Sequence, residues 1–175
     1  MELIKELPAL GRDLGPGLIL IGLTSLAAIL VGCLFEEWET LPWMATATVS
    51  LCGIGLLLRF LPKTSKVPRT STSIAATALV WVIVGLCGSL PFLFTGMSFL
   101  DAAFESMSAW TGTGFSIAED IEAWPKTLLF WRSFMQWVGG LGIVAFTLTV
   151  ATRSGLVTRG LYNSESGSQA FMPSV

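Results

Sequence analysis

The 33 residues from Thr95 to Thr127 read TGMSFLDAAFESMSAWTGTGFSIAEDIEAWPKT. Phe99 to Trp110 carries apolar and small residues at helical spacing, with Ser98 and Asp101 placed as a capping pair at its start. Twelve residues at 1.5 Å each make a helix about 18 Å long. That is too short to cross a ~30 Å hydrocarbon core, and short apolar helices of this kind are candidates for re-entrant segments. Next comes Thr111-Gly112-Thr113-Gly114-Phe115, a run that no helix former would build. Two glycines between threonines permit an extended or left-handed backbone whose carbonyls point to one side.

Non-helical backbone at membrane depth is tolerated only inside protein or lining a water-filled cavity. A helix that stops there aims its negative dipole end and unsatisfied carbonyls at whatever lies beyond. A cation fits and an anion does not. Rings of backbone carbonyls that replace a hydration shell are how potassium filters work. Glu119, Asp120 and Glu122 follow on the expected outer side, where they concentrate cations at a mouth. Blander readings stand beside these: the Thr-Gly-Thr-Gly run as a surface turn, and the acidic residues as an ordinary solvated loop. Asp101 reads as a cap before it reads as a ligand. Glu105 lies within the apolar short helix, where an unpaired charge is costly, and so calls for a buried partner or a water-facing role.

On either side the chain is a membrane sequence. Of its 175 residues, 53% are hydrophobic and only 13% charged, with 18 glycines besides; mean hydropathy is +0.72. Soluble domains carry roughly 25% charge, so a water-facing surface cannot be built from this composition, and disorder is excluded by the same figures. Four stretches are apolar enough to cross as helices: Leu14 to Phe35, Leu41 to Leu61, Ile74 to Phe94 and Leu128 to Val150. Arg59 snorkels from the end of the second, and Arg132 lies one turn inside the fourth. Eight of the ten Lys and Arg residues fall on one side of this arrangement, leaving only Lys126 and Arg132 on the other. Both termini are therefore expected in the cytoplasm. Trp110, Trp124, Trp131 and Trp137 are expected to pack or anchor at the outer interface.

Several functions drop out. The net charge of −2 gives nothing for nucleic acid to bind. With no histidine, His-ligated metals and Ser-His or Cys-His nucleophiles are absent. Cys33, Cys52 and Cys87 fall inside spans as apolar fillers without metal-ligand spacing. A cleaved signal is disfavoured by the acidic N-terminus and the long apolar run. Gly140-Leu141-Gly142-Ile143-Val144-Ala145 mimics a dinucleotide fingerprint but sits inside an apolar span, not in a βαβ unit. Close helix packing is the expected use of Gly139, Gly140 and Gly142. The Gly11-to-Gly15 pair lies at the membrane edge and says little.

The order of span, short helix, TGTGFS and span resembles the membrane-pore-membrane repeat of the Trk/Ktr/HKT potassium transporters. Leu100 to Ser116, LDAAFESMSAWTGTGFS, resembles the family's first pore helix and filter, usually close to FFESVSGFTTTGAT. Leu128 to Val144, LLFWRSFMQWVGGLGIV, is similar to the helix that follows, LLFWRSLTQWLGGLGII. Leu161 to Glu165 resembles the cytoplasmic connection after it, and the first two spans match the extra N-terminal pair of Trk-type subunits. The resemblance implies that Gly114 is the filter glycine, with Thr111, Gly112, Thr113 and Phe115 around it, and that Asp101 and Glu105 support the pore helix. Gly112 departs from the Thr or Ser common there. Since backbone carbonyls coordinate the ion, the departure loosens the loop without removing a ligand.

The fold expected is all-α and integral to the membrane, with four transmembrane helices, one re-entrant pore helix and a filter loop. Residues 1–72 form the N-terminal helix pair, 73–152 the first membrane-pore-membrane repeat, and 153–175 a cytoplasmic connector that stops before a second repeat. The expected function is K⁺ uptake across the plasma membrane, without catalysis or cofactor. The family closes one pore from four loops, so this chain would supply a quarter of a filter as a truncated product, a split subunit or a piece that must assemble. Missing repeats or further copies are the expected partners, together with a cytoplasmic nucleotide-binding regulatory subunit. A homotetrameric cation channel and a non-conducting membrane partner are the alternatives.

Overall fold

The computed structural model describes residues 2–61 and 70–153. They form six helices: α1 (Glu2–Thr24), α2 (Leu26–Leu34), α3 (Leu41–Arg59), α4 (Thr70–Ser89), α5 (Phe99–Trp110) and α6 (Lys126–Arg153). Short 3-10 turns at Trp38–Thr40 and Leu90–Thr95 join them, and no strand occurs among the described residues. Four helical segments are long and apolar enough to cross a membrane: Leu14–Leu34, Trp38–Arg59, Ile74–Thr95 and Lys126–Leu148. The chain is thus an all-helical, multi-pass architecture, with α5 as a fifth, short helix between the third and fourth spans. The tail Leu161 to Glu165, the connector beyond Arg153 and the basic residues Lys63, Lys66, Arg69 and Arg159 lie outside the described residues.

The first span is not one helix. At Ser25 the backbone N–H turns to Gly22 O (3.3 Å). The hydroxyl donates to the same carbonyl at 2.6 Å and meets Thr48 Oγ1 of α3 at 2.5 Å. A serine bonding back into its own turn interrupts the helical ladder. α1 then packs on α3 where two glycines meet: a Cβ on Gly15 would lie 2.6 Å from Gly55 O, and one on Gly55 would lie 2.7 Å from Gly15 O. Small residues let helix backbones approach closely in lipid, so Gly15 works with Gly55 across the α1–α3 contact.

The core runs through Leu18, Met44 and Leu51 of the first pair to Phe92, Trp110, Trp131 and Met135 of the second. Its aromatic centre is the edge-on pair Trp110–Trp131, with ring centroids 6.1 Å apart. Trp131 Nε1 donates to Gly88 O at 3.1 Å, which fixes α6 against α4. Leu20, Leu30, Val49, Leu57 and Val144 face outward, as a lipid-solvated surface requires. The four tryptophans, expected to pack or to anchor, divide between core and surface. Trp110 and Trp131 are buried. Trp137 lies eleven residues into α6, about 16 Å along its axis, and is 65% exposed there against Phe134. Trp124 alone, its ring tilted at 41° against Phe92 with centroids 5.5 Å apart, lies in the loop outside the spans.

Candidate ion-binding loop

α5 starts as its sequence requires. Ser98 Oγ accepts Asp101 N–H at 3.2 Å and donates to Asp101 Oδ2 at 2.7 Å, so Asp101 is a cap. The helix ends at Trp110 because Gly112 (φ +71°) and Gly114 (φ +75°) turn the chain into the left-handed region, where a glycine is under no strain. The end is close-packed as well. A Cβ on Gly139 would lie 1.9 Å from Trp110 O, so α6 touches the backbone at which α5 stops. The packing role expected of three glycines therefore falls to Gly139: Gly140 faces open space, and Gly142 would make only ordinary contact with Trp81.

The carbonyls of Met107, Ser108 and Ala109, just before the end of α5, are not the open ones, and that of Trp110 is packed against Gly139. Met107 O accepts Thr111 N–H and Thr111 Oγ1–H, and Ala109 O accepts Gly112 N–H. Ser108 O accepts Gly114 N–H and Thr113 Oγ1–H. The carbonyls of Thr111, Gly112 and Thr113 accept no hydrogen bond among the described residues. The unsatisfied oxygens expected at the helix terminus are displaced by one step into the loop itself. Thr111 to Phe115 are all exposed, Phe115 by 71%.

Gly114 and Phe115 are held from behind. Arg132 Nη2 donates to Gly114 O at 3.1 Å and to Phe115 O at 3.2 Å, while Ser108 Oγ donates to Phe115 O at 2.7 Å. The other side of the guanidinium donates from Nε to Glu105 Oε2 at 3.1 Å. Glu105 is fully buried. Its remaining oxygen accepts Ile117 N–H at 2.7 Å and the hydroxyl of Ser116. The charge in the apolar helix thus has the buried partner its position called for. A carboxylate, a guanidinium and two loop carbonyls form one network, and the planar fork of arginine makes that possible.

The acidic residues beyond the loop divide. Asp120 Oδ1 caps a turn by accepting Glu122 N–H and Ala123 N–H at 3.1 and 3.3 Å, whereas Glu119 and Glu122 are exposed. No group of three or more His, Cys, Asp or Glu side chains that could hold a metal ion occurs among the described residues.

Residues 43–170, well over half of the chain, match the family model TrkH, described as a cation transport protein. This chain belongs to that family. Its members are membrane cation transporters rather than enzymes. The chain is 36% identical over 173 residues to an uncharacterised cation transporter of Methanocaldococcus jannaschii, with 97% of this chain and 36% of the relative covered. It is 35% identical to the Trk system potassium uptake protein TrkH of Halomonas elongata, covering 88% of this chain and 33% of that protein. The crystal structure of the potassium transporter TrkH from Vibrio parahaemolyticus superposes with a TM-score of 0.76 at 31% identity, over 83% of this chain and 32% of that one. The chain spans about a third of the length of the curated relatives it matches.

The sequence alone does not mark Arg132, Ser116 and Ser108 as parts of the site, although the structure places all three there. A signal for the first was present: Glu105 needs a cation, and Arg132 is a basic residue one turn inside an apolar run.

Proposed function

We propose that this chain contributes one wall of a potassium-conducting filter in the plasma membrane. Partly dehydrated K⁺ sits against the carbonyls of Thr111, Gly112 and Thr113, while Gly114 and Phe115 set the loop's shape through Arg132. The observation that carries the reading is a row of exposed, unbonded carbonyls beside two carbonyls tied to a buried ion pair. Carbonyl rings of this kind replace the hydration shell of K⁺. The names of the relatives, potassium uptake proteins among them, agree with it. One loop lines one side of an ion path, so further loops of the same kind complete it, whether from other repeats or other copies. The excess of basic residues in the expected inner loops supports termini in the cytoplasm, within reach of a nucleotide-binding regulator.

Radioactive rubidium uptake tests the reading in cells that lack their own potassium importers and make this chain, alone or beside further filter loops. Uptake that K⁺ suppresses at lower concentration than Na⁺ is the expected result. Uptake suppressed equally by both ions overturns selective potassium passage.

A further inference from the structure

The first two spans take no part in the loop, yet they are fastened to the helix that holds it. The turn after α2 carries Glu36 at φ +58°, the one non-glycine residue with positive φ among the described residues. An L-residue in that region is uncommon and is kept only where the surroundings require it. Here it points the next side chain, Glu37, at the start of α6. Glu37 Oε1 accepts Lys126 N–H at 2.8 Å, and Oε2 accepts Thr127 N–H at 2.8 Å and Thr127 Oγ1–H at 2.6 Å. A carboxylate thus satisfies orphan donors at the N-terminus of α6, where the helix dipole also favours negative charge. The fit is close: a Cβ on Gly32 of α2 would lie 2.8 Å from Thr127 Oγ1, and Thr127 is fully buried.

Thr127 lies five residues before Arg132 on the same helix, about 7.5 Å along its axis. We propose that Glu37 is a positioning residue for the filter loop: by clamping the first turn of α6 it sets the height at which Arg132 reaches Gly114 O and Phe115 O. The N-terminal helix pair then acts as an external brace for a filter it does not line. The consequence for ion passage rests on the filter reading above; the clamp itself does not.

Hydrogen exchange of the full chain in lipid nanodiscs, read by mass spectrometry, tests this without any transported ion. A failure of the potassium reading therefore leaves the test intact, and the reverse also holds. In Glu37→Gln, which puts an NH2 donor where one of the two accepting oxygens stood, exchange at Gly114 and Ile117 and in the first two turns of α6 should rise about ten-fold. The α1–α3 pair should keep its wild-type protection. Thr127→Val, which removes only the hydroxyl bond, should raise exchange at the same places by less and covers the case in which the first variant fails to fold. Restoration of slow exchange by Glu37→Asp would add support for a carboxylate clamp. A uniform rise over all helices, or a rise confined to Lys126 and Thr127 with the loop unmoved, would overturn the proposal.

Discussion

Arg132 and Glu105 meet with Nε 3.1 Å from Oε2, and the carboxylate has no solvent exposure. The pair ties α6, which follows the loop, to α5, which precedes it. The loop between them can therefore keep its shape only while both charges are present. Removing one partner of a buried pair leaves the other uncompensated, at a cost of about 3–5 kcal/mol. Arg132→Ala and Glu105→Ala should each lower stability by that order in thermal unfolding of the purified chain. The double variant should lose less than the two together, because the second change removes an already orphaned charge. Fully additive losses would separate the two residues.

Arginine matters here as a fork. Arg132→Lys keeps the charge but cannot reach Glu105 Oε2 and two carbonyls in one plane. It should fold better than Arg132→Ala and still lose protection at the N–H groups of Gly114 and Ile117, which bond Ser108 O and Glu105 Oε1. Hydrogen exchange at the loop reads the difference, and a loop as protected as in wild type would show that charge alone suffices.

At the loop the two glycines should rank differently. A Cβ at either sits at positive φ and costs about 1–2 kcal/mol. At Gly112 nothing lies within 4 Å, whereas at Gly114 a Cβ would also stand 3.1 Å from Gln136 Nε2. Gly114→Ala should destabilise more than Gly112→Ala, and Gly112→Asn least of the three, since Asn tolerates the left-handed region. Thermal unfolding in lipid checks the order.

Adjacent glycines on α6 should behave oppositely. Gly139→Ala drives a methyl into Trp110 O and should cost about 1–3 kcal/mol or more through overpacking. Gly140→Ala meets nothing and should be neutral or stabilising by up to about 1 kcal/mol from helix propensity. Unfolding midpoints of the two variants, compared side by side, test this pairing.

Glu37 gives stability a pH dependence. Burial pushes its carboxyl up, but the bonds from Thr127 and Lys126 and the charge of Lys126 outweigh burial and hold it below its usual range. A carboxylate whose folded pKa is depressed binds fewer protons folded than unfolded. Its contribution is therefore complete above the ordinary carboxylate value and disappears as pH falls through the folded value. Glu36 and Glu39 on the same turn and Lys126 on α6 border the same crevice. Stability of the wild type should thus fall at acid pH more steeply than that of Glu37→Gln. Identical pH profiles would remove Glu37 from the account.

Local chemistry was legible in the sequence, and distant pairing was not. The four apolar runs, the short helix Phe99–Trp110 and the Ser98–Asp101 cap each follow from periodicity or from contacts three residues apart. Glu105 announced an unmet charge, but its partner lies 27 residues on, and no periodicity encodes that. Nothing in the sequence marks Glu37 as a clamp, because its target is about 90 residues away. The break at Ser25 is not legible in the sequence because the apolar run continues through it unchanged. The same limit explains the glycines of α6: the sequence marks three, and only the position of Trp110 O selects Gly139.

The most direct test of the filter reading is radioactive rubidium uptake by cells that depend on this chain for potassium, with Gly114→Asp beside wild type and both proteins confirmed in the membrane. Uptake abolished by the substitution is the expected result, since it places a strained, charged residue at the turn that shapes the carbonyl row. Uptake that continues unchanged through Gly114→Asp would contradict a filter built on this loop.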